Sequence, residues 1–127
     1  MRLIITFVST DNVGGEFTAP PPTCPCDTIT FECTVAGDTN GGTWWRLDDG
    51  STSCTLLHED TSIIDHCSVF TAMFENTSAT SFPTTLSSTA TPALNGTLVE
   101  CLGPSSGSAI VGSSTIQIIG KCVSYSL

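Results

Sequence analysis

Gly103-Pro104-Ser105-Ser106-Gly107 spells the pattern of a nucleophile elbow, in which a strained strand-to-helix turn holds a serine out for activation by a histidine. Here the segment runs through Ser, Gly and Ala into another strand-like stretch. Both histidines, His58 and His66, precede Ser105, the reverse of the hydrolase order, so the match reads as a hairpin loop. The second constellation is His58, Glu59, Asp60, Asp65 and His66 beside Cys54 and Cys67, a set of side chains that could bind zinc. Its spacing fits no zinc finger, and in an oxidising compartment the two cysteines form a disulfide instead. The histidines are then left on a solvated acidic loop. Asp38 to Gly42 and Asp48-Asp49-Gly50 have the composition of calcium loops, yet neither is followed by a bidentate glutamate, and turn chemistry accounts for both. The expectation is a protein with no catalytic residues, no metal and no cofactor.

Composition points to the cell exterior. Three basic residues, Arg2, Arg46 and Lys121, stand against twelve acidic ones, for a net charge of -9. Attraction to phosphate backbones or anionic lipid would have to overcome that field, so nucleic acid is not an expected partner. No run reaches the roughly 20 apolar residues needed to span a bilayer, so no membrane insertion is expected. Charged residues make up only 12% of the chain, which leaves solubility to hydroxyls, turns and attached sugar. Seven cysteines, scarce lysine and two sequons, Asn76-Thr77-Ser78 and Asn95-Gly96-Thr97, together favour an extracellular, secreted or cell-surface protein carrying N-linked glycans at Asn76 and Asn95. Met1 to Val8 has the charge of a signal peptide, but its apolar stretch is short and no Ala-x-Ala site follows.

The elements that must position these residues are strands. Alternation and turn residues divide the chain into short segments with no apolar period of helical length. Thr28 to Val35 puts Ile29, Phe31, Cys33 and Val35 on one face and polar groups on the other. Thr43 to Leu47, Cys54 to Leu57, Ser68 to Phe74, Phe82 to Thr89, Gly96 to Leu102 and Ser114 to Ile119 complete the set, with Gly/Ser/Pro loops between them. Glu16 to Thr23 contains Pro20, Pro21 and Pro22, which donate no ladder hydrogen bonds and restrict this stretch to an edge or a connector. Alternation also sends one of Trp44 and Trp45 outward, and Trp45 and Phe74 are candidate exposed contact residues.

On Cys33, Trp44 (or Trp45) and Cys101, the chain from about Pro20 to Cys122 resembles the immunoglobulin-like domains of extracellular proteins, of the divergent, cysteine-rich invertebrate type that carries a Leu-Leu-His segment, here Leu56-Leu57-His58. Val99 stands where that family usually has its corner tyrosine. The resemblance implies an all-β, immunoglobulin-like two-sheet sandwich of about seven to nine strands, with an additional N-terminal strand. It also implies pairings. Cys33 and Cys101 would face each other across the core, and Cys54 and Cys67 would form a local bridge. Cys122 would end beside Cys26 or Cys24. With Cys26 taken as its partner, Cys24 is left either as a buried free thiol or as a link to another chain.

The domain division follows. Residues 1-13 form an N-terminal strand and linker, and residues 14-127 form the immunoglobulin-like domain. Leu3, Ile5 and Phe7 need a place to go, because the sandwich has its complement of strands without them. The segment pairs within its own domain, or adds a strand to a neighbouring copy, or is the last strand of a preceding domain. The second option generates a head-to-tail filament. The functional expectation is a non-enzymatic extracellular structural or adhesive module that self-associates through Leu3, Ile5 and Phe7. The alternative is a monomeric recognition domain binding a protein or glycan through loops near Asn40, Asp65 and Ser106.

Overall fold

The computed structural model describes residues 5–7, 15–36, 41–48, 52–64, 67, 69–78, 80–103 and 109–120. Within them the chain forms ten strands: β1 (Ile5–Phe7), β2 (Gly15–Ala19), β3 (Thr28–Ala36), β4 (Gly42–Leu47), β5 (Thr52–Leu57), β6 (Ile63–Ile64), β7 (Thr71–Phe74), β8 (Ser81–Thr89), β9 (Leu98–Gly103) and β10 (Ala109–Thr115). One turn of 3-10 helix, Pro92–Leu94, joins β8 to β9. Every ladder is antiparallel, in two sheets of order β1-β2-β3-β8-β7 and β10-β9-β4-β5-β6. The protein is an all-β two-sheet sandwich. β1 and β6 lie at sheet edges, and β3 and β4 are internal strands of the two sheets.

The core follows from period-two alternation. On β3, Ile29, Phe31, Cys33 and Val35 are buried while Thr28, Thr30 and Glu32 are exposed. Phe17, Phe31 and Trp45 meet from three strands with ring centroids 6.2 to 6.3 Å apart. Trp45 is therefore the core tryptophan, and neither Trp44 in that role nor Trp45 as a surface contact survives. The reason is register. Trp45 lies opposite both Cys54 and Cys101, which face inward, and so Trp44 is turned outward. Phe74 is half-buried against the core, not a free contact residue.

Two local features let this chain close the sandwich. Pro83 sits in β8, an internal strand, where proline is normally excluded. Its carbonyl accepts from Glu75 N–H at 2.9 Å on the β7 side, and the β7 ladder ends at the preceding pair, Phe74 with Thr84. In an antiparallel strand a residue's N–H and C=O point to the same side, so the missing N–H costs the β3 ladder nothing. In β10, a bulge between Ile110 and Gly112 drops Val111 into the core. A Cβ at Gly112 would run into the ring of Phe17, so only glycine lets β10 lie this close to β2.

Several strand boundaries differ from the sequence-based ones. β7 starts at Thr71 rather than Ser68, and β10 covers Ala109–Thr115 rather than Ser114 to Ile119. Beyond Thr115 the chain turns to β2's side of the molecule, where Thr23 and Ile118 form an isolated parallel bridge.

Candidate functional site

The edge built by β1 and β2 holds the residues expected to drive assembly. Ile5 pairs with Ala19, Thr6 with Thr18 and Phe7 with Phe17. The N-terminal segment thus pairs within its own chain, the first of the three alternatives, while Leu3 lies outside the described residues. β1 terminates its sheet, with no further strand beyond it among the described residues. Its partner β2 is anchored independently, because Phe17 is fully buried and Ala19 nearly so. A Cβ at Gly15 would collide with the carbonyl oxygen of Thr34, which fixes the point where the chain enters β2 against β3.

Two of the pairings that the resemblance implied are present. Cys33 and Cys101 are bonded across the two sheets with Cα atoms 6.5 Å apart, and Cys54 and Cys67 are bonded locally at 5.0 Å. Cys26 is disulfide-bonded, while its expected partner Cys122 lies outside the described residues. Cys24 carries a free thiol and is exposed, which removes the buried-thiol alternative. The neighbouring backbone is held by Thr23 N–H to Gln117 O at 2.9 Å and Ile119 N–H to Thr23 O at 3.0 Å.

Both sequons sit on exposed turns. Asn76, with φ of 46°, turns the chain between β7 and β8, where Ser78 N–H donates to Ser81 O at 2.8 Å and the Ser78 hydroxyl accepts from Ser81 N–H at 3.1 Å. Asn95 follows the 3-10 turn, and its Oδ1 accepts from Ile118 N–H at 2.9 Å. An N-linked sugar replaces one hydrogen on Nδ2 and leaves that acceptor bond intact.

The side chains weighed as chemical candidates are described only in part. Gly103 ends β9 and Ala109 begins β10, two antiparallel strands, so the serine-rich segment joins strand to strand rather than strand to helix. His58 is not on a solvated loop. It is 2% exposed, with Nε2 2.8 Å from the Thr43 hydroxyl and its ring stacked on Phe82 at 3.8 Å. Alternation explains it: Cys54, Leu56 and His58 share the inward parity of β5. Asp60 stays on the surface, its carboxyl held below the usual carboxylate range by the Ser62 hydroxyl at 2.6 Å and Ser62 N–H at 3.1 Å. Asp65 and His66 lie outside the described residues, and among those described no three metal-ligating side chains cluster.

Sequence reasoning missed two polar features. Trp45 Nε1–H donates to the Thr84 hydroxyl at 3.1 Å, and that hydroxyl donates to Cys33 O at 3.1 Å, a buried relay between the sheets. On the outer face, Arg46 Nε donates to Glu100 Oε1 at 2.9 Å, and this bond with the adjacent charge raises the arginine's already high pKa. The opposite sheet carries an open groove of about 500 Å³, lined by Thr28, Thr71, Ser87 and Thr89 with Val69 and Leu94, and more apolar than polar in its exposed lining. Among the described residues no helix is long and apolar enough to cross a membrane. Neither a known family model nor a curated protein sequence matches the chain.

Proposed function

We propose that the chain is an immunoglobulin-like, non-enzymatic extracellular module of structural or adhesive type that self-associates by exchanging β1. The observation that carries this reading is the placement of β1. It is attached by three residue pairs at the outer edge of a sheet, beside a β2 whose buried side chains already belong to the core. The same three pairs can form with β2 of a neighbouring copy, so exchange preserves every ladder bond and costs little beyond association itself. Reciprocal exchange closes a dimer, and head-to-tail exchange leaves an open end and grows a filament. The Cys33–Cys101 and Cys54–Cys67 bridges and the disulfide-bonded Cys26 suit an oxidising compartment. The exposed Asn76 and Asn95 are then glycan acceptors, and the exposed Cys24 is available to link neighbouring copies.

The test is removal of residues 1–13 from the secreted protein, followed by sizing under native, non-reducing conditions. Loss of assemblies with retention of a folded monomer supports exchange. Assemblies of unchanged size would refute it. The competing reading, a monomeric recognition domain, draws on the open groove beside Thr28, Val69 and Leu94; Asn40, Asp65 and Ser106, the loop positions expected to serve it, lie outside the described residues. A wild-type protein that stays monomeric favours that reading.

A further inference from the structure

The chain leaves β8 along a path set by its backbone. Thr89 and Thr91 are exposed and Ala90 between them is buried, so the alternation of the strand runs on past the end of its ladder. Two backbone bonds hold that extension. Cys26 N–H donates to Ala90 O at 2.9 Å, and Ala90 N–H donates to Asp27 O at 2.7 Å. Thr91 is extended, with φ of -132° and ψ of 154°, in keeping with the bar that Pro92 sets against helical backbone in the residue before it. It stands at the cap position of the 3-10 turn, yet its hydroxyl makes no capping bond. That hydroxyl is therefore carried on an exposed, extended and firmly anchored segment. In a 3-10 turn residues three apart lie on one side, and Thr91 and Leu94 both line the open groove, with Val69, Thr71 and Ser87 across from them. Val69 is 64% exposed. Asn95 is not part of that lining, and its Oδ1 is bonded to Ile118 N–H.

We propose that Thr91 is a site of O-linked glycosylation and that its first sugar seats in the groove over Val69 and Leu94. The proposal rests on the extracellular reading, since the transfer belongs to a secretory pathway, and it adds an acceptor that neither sequon supplies. Ser/Thr-rich sequence punctuated by proline is the composition of O-glycosylated segments, and Thr77 to Pro92 is mostly Ser and Thr, with Pro83 and Pro92 among them. The fold singles out one acceptor from that run. Thr84 and Thr85 are buried, and Thr89 is held in the ladder opposite Thr28. Thr77 and Thr80 are exposed but precede no proline. Thr91 lies beyond the strand, so a transferase can take up its extended backbone without unpairing a ladder. The donor is a nucleoside-diphosphate sugar. A bond forms between Thr91 Oγ1 and the anomeric carbon as the bond from that carbon to the phosphate oxygen breaks. The nucleoside diphosphate leaves with the electron pair, and the hydroxyl proton passes to a base of the transferase. A sugar ring has C–H faces and a hydroxyl rim, which suits a groove that is more apolar than polar and includes Thr71 and Ser87. The volume of about 500 Å³ falls within the roughly 300–1,000 Å³ of small-ligand sites. Although the chain carries a net charge of -9, no lining residue is charged, so a neutral sugar seats without stripping water from an ion.

The experiment is intact-mass and fragment-ion mapping of the full-length protein secreted from a eukaryotic cell line, after enzymatic removal of its N-linked sugars. The expected result is residual mass of at least one hexose or N-acetylhexosamine residue, localised to Thr91, lost in Thr91→Val and kept in Thr91→Ser. Both substitutions fall on an exposed position, where the fold tolerates them. N-linked sugar at Asn76 or Asn95 with Thr91 bare overturns the proposal and leaves the extracellular reading standing. A secreted chain with no sugar of either kind overturns it together with the glycan assignments at both asparagines. Residual mass unchanged in Thr91→Val places the acceptor elsewhere and also overturns it. Seating is read from the rate at which an exoglycosidase releases the Thr91 sugar from the folded protein and from the glycopeptide cut out of it. Release from the folded protein should be at least about tenfold slower. Val69→Glu, at an exposed position, should remove most of that difference. Equal rates overturn the seating, and so does protection that Val69→Glu leaves intact.

Discussion

Thr84→Val tests whether the two sheets are coupled by more than apolar contact. The wild-type hydroxyl accepts from Trp45 Nε1–H and donates to Cys33 O, each at 3.1 Å, in a site where Thr84 is 1% exposed and Trp45 fully buried. Valine keeps the shape and removes both bonds. Leaving the indole N–H unpaired costs about 1–3 kcal/mol. The added methyl returns about 0.8 kcal/mol of transfer free energy. The net expectation is a loss of about 0.2–2 kcal/mol, or up to roughly 8 °C in Tm for a domain of this size. Urea unfolding with the disulfides intact, followed by tryptophan fluorescence and far-UV circular dichroism, measures it. Repeating the change in a Trp45→Phe background, where no N–H can be orphaned, should reduce the cost by about 0.5–1.5 kcal/mol. A Thr84→Val protein as stable as wild type, or an equal cost in both backgrounds, would show that the relay contributes nothing and refute the reasoning.

Gly112→Ala drives a methyl into the Phe17 ring and should destabilise by about 1–3 kcal/mol, read by the same urea titration. Asp60, with its folded pKa depressed by Ser62, contributes stability that is complete above the unfolded carboxylate value of about 3.9 and is lost as pH falls through the lower folded value. Carboxyl NMR titration should place its midpoint below that of an unfolded aspartate, and Ser62→Ala should move it back up. Expression through a secretory pathway should add glycan mass that Asn76→Gln and Asn95→Gln each reduce by one unit on intact-mass analysis. Unchanged mass in either variant removes that site.

Much of the fold was legible because a half-buried strand writes its two faces into alternate residues. Ile29, Phe31, Cys33 and Val35 announced β3 and its inward side, and Gly, Pro and Asn marked most turns. The Cys33–Cys101 and Cys54–Cys67 bridges followed from the resemblance. Two readable signals were passed over. Arg46 shares the parity of Trp44, which marks Trp44 as the outward tryptophan. His58 shares the parity of Cys54 and Leu56, which marks it as inward.

What the chain alone determined is therefore the period: strands, their turns, an acidic charge-poor surface and cysteines enough to staple a sandwich. What only the tertiary structure decided is the assignment of faces and partners. Trp45 rather than Trp44 enters the core, Cys26 rather than Cys24 is bonded, β1 lies on β2, and Arg46 finds Glu100 across 54 residues of sequence. The physical reason is that alternation is a local steric property of each strand. Which face is inward, and which distant group lies opposite, is set by register between strands far apart in the chain, where a shift of one residue exchanges every side chain between core and solvent.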